Sequence, residues 1–390
     1  MAGNRLRISS FFFVVAVVAA AGVAGYFIGR SATTTHPAAP RVRWRAIPSA
    51  PIVGRIYEAT VWTGRELIVA GGLSHGRPVD DGAAYDPATG TWRRIAKPPS
   101  DLGGAAVWTG TEMITWTGNG VDGPVVGAVY NPRTDMWRRL PAGPLGPREG
   151  NAVVWTGKEL LVIGGHRGDG AAAPVAAAVD PATGIWRILH GLDRLPFFGG
   201  PQGAVWDGRE VILAGNVSLC PEKGSACGRT RASVIAYEPA TDAAHELSQL
   251  APSSQYGSDA AASLRPIAWT GTRVVFTTYT PGVFRLLRYT PASAYWELGD
   301  RAPCTLQHDT DTQMVWAGDR FVAGCSTGGV QVYDPDTRQW RTLETGASPF
   351  TSRSSSAIAW TGKELIVWSG SEFRPNGPTP ADGAILTLPR

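Results

Sequence analysis

The residues best suited to catalysis lie in the C-terminal third of the chain. Residues 324–328 (GCSTG) fit the G-x-S-x-G pattern of a hydrolase nucleophile, and His308, Asp309 and Asp311 lie upstream. That pattern needs a sharp turn from a strand into a helix, which exposes the serine hydroxyl to a histidine base. The flanking residues predict strands on both sides, so we interpret 324–328 as a loop and assign no catalytic residue.

Two other patterns are weak as well. Residues 118–123 (GNGVDG) fit the G-x-G-x-x-G of dinucleotide-binding proteins, but that motif requires a helix to follow, and here a strand is predicted. His75, His166 and His308 lie on loops of different repeats and would converge on a metal only if those loops folded inward. We therefore predict neither a metal site nor a cofactor.

The four cysteines form two local pairs. Cys220 and Cys227 bracket a Gly- and Ser-containing insert, and Cys304 and Cys325 flank a predicted hairpin. These spacings suit local disulfides in an oxidising compartment. A zinc site would need CxxC-like spacing with accompanying histidines, and the sequence has neither. Two disulfides would place the propeller outside the cytoplasm. In a cytosolic protein the four cysteines would instead be ordinary thiols.

The N-terminal region predicts a membrane anchor. Residues 11–29 are uncharged and long enough to span a bilayer, and we assign 1–10 to the cytoplasm and 30–41 to a linker. Two arginines precede the span and only Arg30 follows it within ten residues, which favours a cytoplasmic N-terminus. The alternative is a cleaved signal peptide, with Ala19–Ala21 as its small-residue cleavage site.

Composition excludes two classes of protein. Gly 48 and Pro 30 make up a fifth of the 390 residues, and only 17% are charged, which excludes helical bundles and coiled coils and favours an all-β fold. The net charge is +4, but the first 45 residues hold six arginines and no acid, so the remaining 345 residues sum to −2. A body with so little charge has no basic surface for nucleic acid.

A tryptophan-led motif recurs seven times along the chain. One copy, from Val154, reads VWTGKELLVIGG. The leading tryptophans are Trp62, Trp108, Trp155, Trp206, Trp269, Trp316 and Trp360. Their spacing of 44 to 63 residues matches one four-stranded blade for each copy. The sequence therefore predicts an all-β, seven-bladed β-propeller of four-stranded antiparallel blades.

Each repeat contains two predicted hairpin turns. Trp-Thr-Gly predicts the first, because glycine allows the positive φ of a tight connection, and Tyr-Asp-Pro-x-Thr predicts the second. The second half of the repeat occurs only six times. We therefore predict that Val42–Ile47 supplies the outer strand of the blade whose other strands come from 357–388. Such closure would make residues 42–390 one domain.

This pattern resembles the kelch repeat family, to which the central domain of galactose oxidase belongs. The resemblance covers everything after residue 41 and rests on the double glycines 71–72 and 164–165, the Tyr-Asp-Pro-x-Thr step and the tryptophan that follows it. Kelch propellers include partner-binding modules, copper oxidases and sialic acid mutarotases, so the resemblance implies the fold and leaves the function open. The Tyr-His pair of the copper oxidases is absent from this sequence.

We expect the varied loops, which join strands two and three and join successive blades, to share one face. Binding sites are commonly built from such loops on a rigid scaffold. The candidate ligand-binding residues there are His75, Arg148, Glu149, His166, Phe197, Phe198, His308, Asp309 and Arg353. A wider set adds Tyr57, Glu58, Arg77, Arg167, Tyr256, Asp259 and Gln307. The adjacent Phe197 and Phe198 would either plug the central channel or stack on a ligand such as a sugar ring.

Together these patterns predict a membrane-anchored, extracytoplasmic module that binds or scaffolds a protein or a glycan on this face. The alternative is a carbohydrate-active enzyme similar to sialic acid mutarotases. An enzyme should place a carboxylate or histidine with a strongly perturbed pKa at a polar channel mouth. A protein-binding module should instead show a broad and partly apolar face.

Overall fold

The computed structural model describes residues 42–99, 102, 104–118, 125–146, 148–166, 175–194, 197, 200–218, 230–247, 263–280, 283–303, 314–325, 329–346, 353–372 and 378–389. Among these residues, no helix is long and apolar enough to cross a membrane. The predicted cytoplasmic segment 1–10, anchor 11–29 and linker 30–41 lie outside the described residues. Cys220, Cys227 and Cys304 also lie outside them, as does the side chain of Cys325, so both disulfides stay predictions.

The described chain folds into seven antiparallel sheets of four strands each, as the repeats predict. Each sheet is one blade, whose strands are named from the innermost to the outermost. Blades one to three contain β2 (Ala59–Trp62), β3 (Leu67–Ala70), β6 (Gly82–Asp86) and β7 (Thr91–Arg94); β8 (Ala105–Trp108), β9 (Met113–Gly118), β10 (Val125–Asn131) and β11 (Met136–Arg139); and β12 (Glu149–Trp155), β13 (Leu160–His166), β14 (Ala176–Val179) and β15 (Trp186–Ile188).

The remaining four blades continue the same order. Blades four to six contain β16 (Gly203–Trp206), β17 (Val211–Ser218), β18 (Thr230–Glu238) and β19 (Ala243–Glu246); β20 (Ser263–Trp269), β21 (Val274–Thr280), β22 (Val283–Thr290) and β23 (Tyr295–Arg301); and β24 (Met314–Trp316), β25 (Phe321–Cys325), β26 (Gly329–Asp334) and β27 (Gln339–Leu343). Blade seven contains β29 (Ala357–Trp360), β30 (Glu364–Trp368), β32 (Gly383–Thr387) and β1 (Trp44–Ile47). Two short pairs, β4 (Leu73–Ser74) with β5 (Arg77–Pro78) and β28 (Arg353–Ser354) with β31 (Ser371–Glu372), extend blades one and seven. Single 3₁₀ turns occupy His190–Leu192 and Pro291–Ser293.

The innermost strands of successive blades contact one another in a closed ring. β2 contacts β8, and the contacts continue through β12, β16, β20, β24 and β29 back to β2. The ring surrounds the central axis of the propeller, so residues on these strands form the wall of the central channel.

The N-terminal strand completes blade seven, as the sequence predicts. β1 pairs antiparallel with β32, with Trp44 opposite Leu386 and Ile47 opposite Gly383. Ile47 is buried against Trp368 and other residues of blades one and seven. Blade seven is therefore built from both ends of the described chain, and its outer edge is covered.

The two predicted turns are present and stabilised by side chains. In blade one, Gly64 has a φ of 89°, and the Thr63 hydroxyl accepts hydrogen bonds from the backbone N–H groups of Arg65 (3.2 Å) and Glu66 (2.8 Å). In the second turn, the Asp86 carboxylate accepts a bond from the Ala88 N–H at 2.9 Å. The polar residue at each turn start thus satisfies backbone donors that the tight turn leaves unpaired.

The core lies between the blades. The second strands are almost continuous apolar runs because both of their faces pack against neighbouring sheets, and every residue of β3 is fully buried. In blades one, two, five and six an aromatic pair joins the third and fourth strands, as with Tyr85 and Trp92, whose ring centroids lie 5.0 Å apart. The tryptophans are therefore packing residues.

Strand direction separates two faces of the propeller. Tight turns join strands one to two and three to four on one side, which we call the turn face. The connections between strands two and three, and those between blades, emerge on the opposite side, which we call the loop face. The loop face carries nearly all of the variety in length and sequence, so it is the face on which a specific binding site would be built.

Candidate functional site

A connecting segment and a short β-hairpin pair with each other on the loop face of blade one. We call residues 53–57 and 73–78 the blade-one platform. Ile56 and Leu73 exchange two backbone hydrogen bonds, of 2.9 and 2.8 Å, and β4 turns back through His75 and Gly76 into β5. The two segments are thus held together by backbone pairing, and the hairpin tip projects from the blade.

Two large apolar side chains are exposed on this platform. Tyr57 is 57% exposed and Val53 is 53% exposed. Tyr57 also has a φ of 56°, a left-handed conformation that is rare for an aromatic residue and that marks functional or strained positions. Its carbonyl accepts a 2.8 Å hydrogen bond from the Gly104 N–H of the next blade connection, which fixes the backbone. The exposed tyrosine is therefore carried on a fixed backbone.

Glu58 follows Tyr57 and is a buried acid at the inner wall. Neither carboxyl oxygen is accessible to solvent or has a hydrogen-bond partner of normal geometry among the described residues. Burial raises the pKa of Glu58 to about 8, although its own N–H, the charge of Arg55 and the Ala357 N–H oppose the shift. A carboxyl group with a strongly shifted pKa at the channel is a feature expected of an enzyme. This carboxyl is closed off, however, so no substrate reaches it in this conformation.

Three arginines occupy the same place in blades one, three and seven. Arg55, Arg148 and Arg353 each lie seven residues before the leading tryptophan of their repeat. Each guanidinium group reaches backbone carbonyls at the end of the second strand and the start of the third. Arg55 bonds to Gly71 and Asp81 carbonyls at 3.0 and 3.1 Å.

The other two arginines repeat these contacts. Arg148 is only 2% exposed and bonds to the Gly164 and Val175 carbonyls at 2.9 and 3.1 Å. Arg353 lies 3.4 Å from the Ser369 carbonyl and forms a 2.7 Å ion pair with Asp382. These contacts support the loop between strands two and three. A ligand-binding role for Arg148 and Arg353 stays a prediction.

The other residues predicted to bind a ligand lie in different settings. His75 is exposed at the platform tip, with its Nδ1 atom 3.2 Å from the Ser74 hydroxyl. Glu149 and His166 are directly opposite each other in the register of β12 and β13, although their side chains lie outside the described set. Phe197 is half-buried, bridges to Val217 and packs on the core between blades three and four. Phe198, His308 and Asp309 lie outside the described residues.

Two residues of interest escaped the sequence analysis. Arg55 could have been found from the seven-residue spacing to tryptophan that it shares with Arg148 and Arg353. Val53 had no signal, because only the folded connection shows that it is exposed. Within the described part of the chain, no group of three or more His, Cys, Asp or Glu residues could hold a metal ion.

Comparison with known proteins gives one family. A family model described as the kelch motif matches residues 60–99, which extend from β2 past the end of β7 and so cover blade one. No curated protein matches the chain. The matched segment is the repeat that carries both a double glycine, 71–72, and the complete Tyr-Asp-Pro-x-Thr step.

Proposed function

Because the chain is a kelch-repeat β-propeller, we propose that it is a protein-binding scaffold module whose blade-one platform contacts the partner. The observation that carries this proposal is the exposure of Tyr57 on a fixed, left-handed backbone, in the same connection as exposed Val53. Tyrosine is enriched among the residues that dominate binding energy at protein interfaces. A tyrosine on a fixed backbone, with only two side-chain torsions to restrict, also loses little conformational entropy when a partner covers it.

The charge and shape of the platform suit a protein surface better than a small ligand. Val53 and Tyr57 are exposed apolar side chains of one platform segment, and His75 and Arg77 are exposed polar side chains at the hairpin tip. An apolar centre with a polar rim is the usual anatomy of a protein interface. The sugar-binding and carbohydrate-active alternatives would need accessible polar groups converging in a cavity, and Glu58 is closed to solvent.

We also propose that residues 11–29 anchor the protein in a membrane with the propeller outside the cytoplasm. The apolar length, the arginine distribution and the even number of cysteines support this placement. The matching experiment is thiol alkylation of the full chain from its native host under non-reducing conditions. Protection of all four cysteines is expected, and modification of all four would overturn the extracytoplasmic placement.

The binding proposal is tested by photo-crosslinking in the native host. A photoreactive amino acid replaces His75 on the platform or Arg133, which is exposed on the turn face. We expect a defined protein adduct from position 75 only. Tyr57→Ala should then weaken binding of the identified partner about tenfold or more, whereas Arg133→Ala should not change it. Equal adducts from both faces, or a thermal shift of the full chain with one sugar and no adduct, would contradict the proposal.

A further inference from the structure

A cavity lies at the outer part of the boundary between blades two and three, away from the central channel and the blade-one platform. Its volume is about 280 Å³, and it is lined by β9, β10, the end of β11 and the connection to β12. Arg139 and Ala142 on its wall are exposed, so the cavity opens at the surface. Its size is close to the lower limit of small-molecule sites, about 300 Å³.

Trp116 on β9 brings a buried hydrogen-bond donor to the wall of this cavity. Its side chain is 3% exposed, and its indole N–H has no hydrogen-bond partner among the described residues. A buried donor without an acceptor is unfavourable, so a group of this kind in a folded protein calls for a partner such as a ligand or a bound water.

Blade seven shows how the same position is satisfied elsewhere. Trp368 and Trp116 both lie eight residues after the leading tryptophan of their repeats. Trp368 packs on Trp92, the outer-strand tryptophan of the next blade, with ring centroids 5.5 Å apart. Trp116 packs on Trp186 in the same way, at 5.2 Å. The Trp368 indole, however, donates to the Ala381 carbonyl at 3.0 Å. Trp116 thus has the packing of Trp368 without its acceptor.

The longer strand ladder of blade two accounts for this difference. Val125 is the register equivalent of Ala381, because each lies two residues before the glycine that is opposite the tryptophan. In blade two Val125 is itself paired with Gly118, so the segment whose carbonyl reaches the indole in blade seven continues here as a strand. The unmet donor therefore follows from the strand lengths of blade two.

The rest of the wall suits an anion with an apolar body. Leu140 and Leu145 are buried apolar residues of the lining. Arg139 is exposed and contacts the Pro99 carbonyl through one N–H group, which leaves further donors for a ligand. The two polar side chains of the described lining, Trp116 and Arg139, are thus donors only, and none of the described lining side chains is acidic.

We propose that this cavity binds a small carboxylate with an apolar body, about the size of phenylacetate. The carboxylate is held by Arg139 at the opening and by the Trp116 N–H inside, through charge-assisted hydrogen bonds. The apolar body packs on Leu140 and Leu145. The indole nitrogen is covered in this conformation, so binding includes a small shift of the Trp116 ring. The site does not depend on the blade-one platform.

The test is calorimetric titration of the full chain, in a neutral detergent at low ionic strength, with phenylacetate, phenylacetamide and 2-phenylethylamine. Phenylacetate is expected to bind about tenfold or more tightly than phenylacetamide, because only the carboxylate gains charge-assisted bonds. The amine should not bind. Arg139→Gln should weaken phenylacetate binding about tenfold, whereas Arg133→Gln, at an exposed position on the turn face, should bind like the wild type.

A second variant tests the buried donor. Trp116→Phe keeps an aromatic ring and removes the N–H, so it should weaken phenylacetate binding by a similar factor. If Trp116→Phe does not fold, the comparison of Arg139→Gln with Arg133→Gln still decides, since both residues are exposed. Three results would overturn the site: no binding of phenylacetate to the wild type, equal affinities for phenylacetate and phenylacetamide, or equal loss in Arg139→Gln and Arg133→Gln. Crosslinking from position 75 tests the platform proposal separately.

Discussion

At the scale of single residues, Glu58 has one of the largest pKa shifts among the described residues. The folded protein raises its pKa from 4.5 to about 8, so the folded state holds a proton that the unfolded state releases. The contribution of Glu58 to the free energy of unfolding is therefore greatest below pH 4.5. It decreases as the pH rises from 4.5 to about 8, by at most about 1.4 kcal/mol for each pH unit.

The first prediction follows from this sign. Glu58→Gln should flatten the pH dependence of the free energy of unfolding between pH 5 and 8, and should make the protein more stable than the wild type at pH 8. The measurement is urea unfolding at several pH values. Glu344→Gln, at an exposed position, is the control and should leave the slope unchanged. A wild-type slope that persists in Glu58→Gln would show that burial of this carboxyl is not its origin.

Residue-level prediction from the sequence succeeded for packing and was limited for the site. The tryptophans and the turn residues could be assigned because their spacing repeats and their conformational demands are local. The contacts of Arg148 could not be read in this way, because its carbonyl partners Gly164 and Val175 belong to a loop whose path depends on the folded blade. The exposure of Tyr57 likewise depends on the connection from blade seven.

At the scale of elements, the first hairpin is stabilised by one side chain at its start in six of the seven blades, and blade six has Ala317 at this position. Thr63, Thr109, Thr156, Thr270 and Thr361 perform this role in five blades. In blade four Asp207 replaces threonine, and its carboxylate accepts bonds from the Arg209 and Glu210 N–H groups at 2.8 and 2.7 Å. A carboxylate close to the backbone can thus replace the hydroxyl group as the acceptor in this turn.

This equivalence gives the second prediction. Thr63→Ala should destabilise the protein by about 1 kcal/mol, because two backbone donors lose their partner. Thr63→Asp should retain most of the stability, since Asp207 makes the same contacts naturally. The comparison is made by urea unfolding of the three proteins. Equal losses in Thr63→Ala and Thr63→Asp would mean that the acceptor at position 63 is not what stabilises the turn.

Elements were also predictable to different degrees. The seven four-stranded blades follow from the tryptophan spacing and the apolar second strands, which the structure confirms. The pairs β4–β5 and β28–β31 were not predicted, because they are only two residues long and lack alternating apolar residues. They form because the folded blade brings the connecting segments together. The pair β4–β5 belongs to the blade-one platform that is proposed to bind the partner.

At the scale of the whole molecule, closure joins the N-terminal segment to blade seven at two places. β1 pairs with β32 at the outer edge. Near the centre, the Ser369 hydroxyl accepts a 2.7 Å bond from the Arg55 N–H and donates a 2.9 Å bond to the Arg55 carbonyl. Ser369 has a φ of 56°, where the equivalent residues of blades one and three are the glycines 71 and 164. Serine adopts this left-handed conformation less readily than glycine, but its hydroxyl group supplies a buried contact across the closure.

The third prediction tests whether closure makes the propeller one cooperative unit. Replacing Trp44–Ile47 with a Gly/Ser segment of equal length should lower the free energy of unfolding by more than about 2 kcal/mol, the least expected from loss of Ile47 alone. The loss should exceed this value because β32 becomes a free edge and the backbone bonds of β1 disappear. Urea unfolding followed by tryptophan fluorescence should show an earlier and broader transition, since blades one and seven separate before the remaining blades.

The matched control keeps β1 in place and changes only its solvent side. Arg45 is exposed and its ion pair with Glu364 spans 3.8 Å, so Arg45→Ser should change stability by less than about 1 kcal/mol. Ile47→Ser should fall between the control and the strand replacement, because it removes one buried side chain and leaves the strand pairing intact. If the strand replacement unfolded like Arg45→Ser, then β1 would be an accessory strand, and the ring of innermost strands with the Ser369 contact would suffice to hold the propeller closed.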